Sequence, residues 1–352
     1  MNVRTVAGRH RWGLATSTVV FAFAVLGAFY PDTAVGQFVT TGTFERALRL
    51  SAPITLAAVG GLYAEKSGVF NIGLEGFLIF GAFVAAGSTW LVSDGSEISQ
   101  ADLWVSVLVA VLVTTLLSAI FAVFTIQFKA NQIVAGLAIW FLGLGFAPFG
   151  AIVLWGQVNS PPLVRIEDVA VPVLSDVPVV GPVLFESSPM VMIMIAVVAL
   201  SYVVLYYTRW GYWIQAAGEN PEALDTSGIS VNRVRYAAVI FSGVLCGIGG
   251  AALSIAFSAG FVGRGVTMVN GRGWIAITAY LFGNYNPLGA FAASLLFGGV
   301  DALQIQFQTA GIAIPNRLAG LFPFFAVLIV LTLVGKTQMP SAAGEPYETE
   351  EE

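Results

Sequence analysis

The sequence predicts an all-α, polytopic transmembrane helix bundle of about ten spans (nine to eleven), some short or broken, with N- and C-termini cytoplasmic. Three observations lead there. Charged residues are only 10% of the 352, against roughly 25% in an ordinary soluble domain. Hydrophobic residues make up 57%, and the mean hydropathy is +0.84. Apolar runs long enough to cross a bilayer, about 20 residues at 1.5 Å rise each, recur along almost the whole chain. So little charge could not cover a soluble globule, which excludes a soluble enzyme. A disordered chain is excluded by the apolar content. A nucleic-acid partner is excluded as well, because the net charge is −5 and no basic patch is present. The single cysteine, Cys246, rules out a disulfide framework and a cysteine-ligated metal site, and the single histidine, His10, lies in the basic N-terminus. Nothing in the composition asks for a metal or a cofactor.

The candidate spans are 14-30, 46-64, 69-92, 103-127, 133-155, 189-208, 236-259, 272-284, 287-308 and 317-335. Segment 14-30 follows Arg4, Arg9 and Arg11 as a signal peptide would. Its long apolar run, the lack of a clear small-residue cleavage site and the many spans behind it reject that reading. Pro53, Pro148 and Pro323 inside or near spans imply kinks. Segment 272-284 is too short to span alone and reads as a half-helix or as joined to its neighbour through a break. Glycines spread over the spans, Gly243, Gly247 and Gly250 among them, read as close helix packing.

Charge sets the orientation. With the N-terminus inside, the inner segments hold Arg4, Arg9, Arg11, Lys66, Lys129, Arg209, Arg233, Arg235 and Lys336. The outer loops hold Arg165, Arg264 and Arg272. The chain then divides into a cytoplasmic N-terminus 1-13, a transmembrane domain 14-335 and an acidic cytoplasmic tail 336-352, read as solvated and extended because its like charges repel. The proline-rich loop 156-188 is external and reads as an ordered, extended cap.

The internal loop 209-235 carries full helix punctuation. Asn220 is a good N-cap, Pro221 suits the first helical position, and Glu222 suits the positive end of the helix dipole. Gly228 can take the left-handed stop. A helix over about 221-227 follows, and two turns are marginal in water, so it must pack on something. Ala223, Leu224 and Ile229 offer an apolar face. Packing on its own bundle and docking a second protein stand level.

Ionisable groups within spans are costly and normally face a cavity or a partner. Asn71 and Glu75 are four apart and share a helix face within a glycine-interrupted run, Ser67 to Gly76. Asn71 either caps the next helix or lines a path. Glu75 is expected to pair with Lys66 or with backbone amides. Asp301, Gln304, Gln308 and Ser294 project from one side of segment 287-308, a stripe that either lines a path or reaches the interface.

Active transport needs an energy source, yet the phosphate-cradling GxxxxGK[ST] loop is absent. The nearest approach, Tyr63-Ala-Glu-Lys-Ser-Gly68, has Glu65 where the second glycine belongs. HExxH, CxxC and GxSxG are absent too. Energy from ATP would have to come from another polypeptide. The alternative is an ion-coupled secondary transporter of a small polar solute that uses Glu75 and Asp301.

The run Glu65-Lys-Ser-Gly-Val-Phe-Asn-Ile-Gly-Leu-Glu-Gly-Phe-Leu-Ile-Phe-Gly-Ala-Phe83 resembles the signature of membrane permeases of ABC importers for nucleosides and simple sugars. These belong with the ribose and branched-chain amino-acid permeases. The loop from Gly218 to Ile229 is similar to that family's coupling segment, and the run Ile275 to Gly289 also matches. Leu224 stands where small residues are usual. The resemblance, over about 46 to 335, implies a division of labour. An extracytoplasmic substrate-binding lipoprotein delivers a nucleoside or sugar. Two permease subunits, often a non-identical pair, enclose the path, and two cytoplasmic ABC ATPase subunits bind the coupling helices. By this resemblance Gly218, Asn220, Pro221, Glu222, Ala223, Asp225 and Gly228 form the coupling element. Asn71, Glu75, Asp301 and Gln304 are candidates for the substrate path.

Overall fold

The computed structural model describes residues 40–93, 97–170, 186–309 and 339–347, with Pro172, Ser175, Gly181 and Leu184 between the second and third stretches. The helices are α1 (Thr41–Lys66), α2 (Leu74–Ser93), α3 (Gln100–Ala122) and α4 (Gln132–Trp155). There follow α5 (Pro189–Tyr207), α6 (Arg209–Glu219), α7 (Pro221–Thr226), α8 (Val231–Ala251), α9 (Arg272–Phe282) and α10 (Pro287–Thr309). Helices α3 and α8 run on through single π turns at Val123–Gln127 and Ala252–Ala256. Starts are set by side chains: Thr40 accepts the Thr43 N–H, Ser99 and Asp102 form a capping box, and Asn131 accepts from Ile133 and Val134.

Among the described residues, seven helices are long and apolar enough to cross a membrane: α1, α2, α3, α4, α5, α8 and α10. They coincide with seven of the ten segments read from the sequence. The short segment 272-284 is α9, which has only 11 residues. Segments 14-30 and 317-335 lie outside the described residues.

Helices α1, α2 and α8 form the centre and are mostly buried. They pack with backbones nearly touching: a Cβ added at Gly250 in α8 would come 2.6 Å from the Ala82 nitrogen in α2. Helices α3, α4, α5 and α10 ring this centre and turn apolar side chains outward, as α4 does with Val134, Phe141, Phe149 and Val153. Such faces on helices that are apolar all round suit lipid or another apolar helix.

The two ends of the bundle differ. Lys66, at the end of α1, lies beside α6, because a Cβ at Gly218 would collide with the Lys66 carbonyl. Arg49 lies about 26 Å away along α1, at the opposite end. There, residues 156–170 cover the bundle as an extended cap. Ser160, Leu163 and Ile166 donate their N–H groups to Phe261, Ala259 and Ile255 at 2.9, 2.8 and 2.8 Å. Arg49 pairs with Glu45 at 2.7 Å and with Asp168. The short strands β1 (Val169–Ala170) and β2 (Glu186–Ser187) pair antiparallel.

Residues 339–347 depart from the free tail read from the sequence. They return to the end of the bundle that carries α6 and α7 and bond to it. The physical reason is the placement of charge: Glu345 is the one charged residue in this stretch, and the like-charge run begins only at Glu348.

Candidate functional site

The first candidate is the α6–α7 corner. Helix α6 ends at Asn220, whose N–H reaches the Ala216 carbonyl at 2.8 Å. The Asn220 side-chain oxygen accepts the Ala223 N–H at 3.0 Å, and Pro221 opens α7. Gly228 has φ +81 and donates to Asp225 at 2.8 Å, which closes the helix. Leu224 is buried and Ile229 packs against the core, which secures a helix too short to stand alone. Ala223, read from the sequence as part of this apolar face, is exposed instead, because Leu224 alone faces inward over the six residues of α7. Glu222, Ala223 and Thr226 therefore face outward together, while Asp225 is half-buried.

The second candidate is built around Glu75, which is 2% exposed. Its carboxylate accepts the N–H of Gly271 at 2.8 Å and of Gly273 at 2.6 Å, so it caps the start of the half-helix α9. Both glycines are required: Gly271 has φ +83, and a Cβ at Gly273 would collide with the Glu75 backbone. Arg272, between them, bonds the carbonyls of Met268 and Val269 at 3.0 and 3.2 Å and lies 3.9 Å from the Asp301 carboxylate. Glu75 and Asp301, far apart in sequence, thus flank one arginine. Chemically this is a fixed joint between α2, α9 and α10. Both Glu75 oxygens are committed to backbone donors.

Asn71 is separate from that joint. It accepts the Gly73 N–H at 3.0 Å and donates to Ser242 in α8 at 2.9 Å. Gln304 is half-buried on α10, and Ser294 is fully buried with its hydroxyl unpaired.

Three residues escaped the sequence reading. Arg272 counted there as an external charge but is largely buried; its flanking glycines ahead of a short apolar segment were the available signal. Glu65 entered only as a mismatch to a phosphate loop. It is fully buried in α1 and accepts the Tyr285 hydroxyl at 2.8 Å. Arg235 counted as an inner surface charge and is 3% exposed. For the last two the sequence held no distinguishing signal, because Tyr285, Ser67 and Glu345, which they bond, lie over 100 residues away.

Comparison with known proteins adds a family and relatives. A family model described as "Branched-chain amino acid transport system / permease component" matches residues 43–331. The guanosine ABC transporter permease protein NupQ of Bacillus subtilis is 35% identical over 84% of this chain and 93% of its own length. The nucleoside ABC transporter permease protein NupC of Lactococcus lactis is also 35% identical, with the same coverage of 84% and 93%. The putative glucose ABC transporter permease protein TsgC13 of Haloferax volcanii is 32% identical over 79% of this chain and 82% of its own. No solved structure matches at a significant level.

Proposed function

The chain belongs to the branched-chain amino acid transport system / permease component family, and from that premise we propose that it is the membrane-spanning subunit of an ATP-binding-cassette importer for a nucleoside or simple sugar. It is an integral membrane protein and a transport component. Two relatives at 35% identity with guanosine and nucleoside names weight the cargo toward nucleosides. The ion-coupled alternative finds no support among the relatives.

The observation that carries the coupling role is α7: a capped helix seated by Leu224 that presents Glu222, Ala223 and Thr226 outward. In this reading α7 docks on a cytoplasmic ABC ATPase, with Gly218, Asn220, Pro221, Glu222, Ala223, Asp225 and Gly228 as the coupling element. Nucleotide-driven closure of the ATPase displaces α7. Helix α6, packed on α1, α5 and α8, carries the displacement into the bundle. A second, non-identical permease completes the path, and an extracytoplasmic lipoprotein delivers the cargo to the end capped by 156–170. In this reading the chain has about ten spans with both termini cytoplasmic, and residues 339–347 lie at the α6–α7 end. In this reading Asn71, Glu75, Asp301 and Gln304 belong to the path or its gate, and Asn71, Glu75 and Asp301 also join neighbouring helices.

The test is reconstitution. Proteoliposomes holding the permease pair, the ATPase and the binding protein should concentrate labelled guanosine only when ATP is supplied, and a protonophore should leave the rate unchanged. Accumulation by the permeases alone under a proton gradient would contradict the reading.

A further inference from the structure

Residues 339–347 form five bonds to the coupling end of the bundle. Ala342 donates its N–H to the Gly218 carbonyl at 2.8 Å, and Gly344 donates to the Gly68 carbonyl at 3.0 Å. The Ser341 hydroxyl donates to Glu219 at 3.0 Å, and the Tyr347 hydroxyl donates to Asp225 at 2.9 Å. The fifth bond runs from Arg235 to the Glu345 carbonyl at 3.0 Å. The segment holds its own shape through Ala343 N–H to Pro340 and Glu345 N–H to Ala342, both at 3.2 Å. Its partners fall on the consecutive helices α6, α7 and α8 and on the turn between α1 and α2, which is about 150 residues away from them in the sequence.

Arg235 is the centre of this arrangement. Its other donors reach the Ser67 carbonyl at 3.1 Å and the Ala217 carbonyl at 3.5 Å. One buried guanidinium therefore ties the α1–α2 turn, the end of α6 and the C-terminal segment together. A buried charge satisfied by carbonyls is costly to strip of any one of them. The segment touches α7 at Asp225 and leaves Glu222, Ala223 and Thr226 exposed. It braces the docking helix without covering it.

We propose that residues 339–347 are a coupling clamp: they fasten α7 and the end of α6 to Gly68, so that displacement of α7 reaches the turn leading to Asn71 and Glu75. This rests on the permease reading above. Arg235 and Tyr347 are then positioning residues, acting through the segments they hold.

The experiment uses the assembled importer in proteoliposomes and reads cargo molecules moved per ATP hydrolysed. A chain ending at Pro340 should lose about tenfold in that ratio while ATP hydrolysis continues, the loss expected when a bond to a buried charge is removed. A chain ending at Tyr347, which lacks only the acidic run, should match the full chain. Tyr347→Phe should fall between the two, and it carries the test if the shorter chain does not assemble. The paired change Glu219→Cys with Ser341→Cys should be bridged by a short bifunctional thiol reagent. A normal ratio in the chain ending at Pro340, or in Tyr347→Phe where that chain does not assemble, would overturn the clamp, as would failure of the bridge. The permease reading fails separately, if the unaltered importer shows no ATP-dependent uptake.

Discussion

The double substitution Glu222→Arg with Thr226→Arg is expected to cut ATP-driven uptake about 100-fold, since reversing charge on a docking face costs several kcal/mol of association. Both side chains are exposed on α7 and neither is part of its cap. Changes at such positions usually shift stability by less than about 0.5 kcal/mol. The variant should therefore insert and purify as the unaltered chain does, and only recruitment of the ATPase should fail. Asp225 is left in place so that its bond with Tyr347 survives. Copurification of the ATPase, measured beside uptake, separates lost docking from lost folding. Normal uptake in this variant would remove α7 from the coupling path.

The second large effect is expected at Glu75. Glu75→Leu leaves the N–H groups of Gly271 and Gly273 without an acceptor and leaves Asp301 as the carboxylate facing Arg272. Breaking such a buried arrangement costs about 3 to 5 kcal/mol. The thermal unfolding midpoint of the purified protein should drop clearly, with uptake lost because α9 is no longer fixed to α2. Glu75→Gln keeps one acceptor oxygen but sets an amide donor against a backbone N–H, so its midpoint should fall by a smaller amount. Lost uptake with an unchanged midpoint in Glu75→Gln would instead mark Glu75 as a carrier of charge.

Seven of the spans were legible because bilayer thickness imposes a length and an apolarity that any single sequence displays. The punctuation of α7 was legible for a local reason: Asn220, Pro221 and Gly228 act within a turn of themselves. The outward position of Ala223 was not, since which face of a two-turn helix is buried depends on what lies beneath it. Arg272 and Arg235 were misread for the same reason. A charge count assigns an arginine to a surface, and only the fold shows carbonyls gathered around it. The joining of Glu75 to Asp301 through Arg272 depends on the α9 start folding back between α2 and α10, which no local pattern encodes. The bound C-terminal segment was hidden because the net acidity of the tail masked a stretch that is nearly neutral.

One measurement addresses α7 directly. A single cysteine at Glu222→Cys, in the assembled importer within native membranes, is treated with a short thiol-to-amine crosslinker; Cys246 is fully buried and stays silent. The permease account predicts an adduct with the cytoplasmic ATPase subunit and no labelling by an impermeant maleimide added outside. An adduct-free chain, or a cysteine labelled from the exterior, would contradict it.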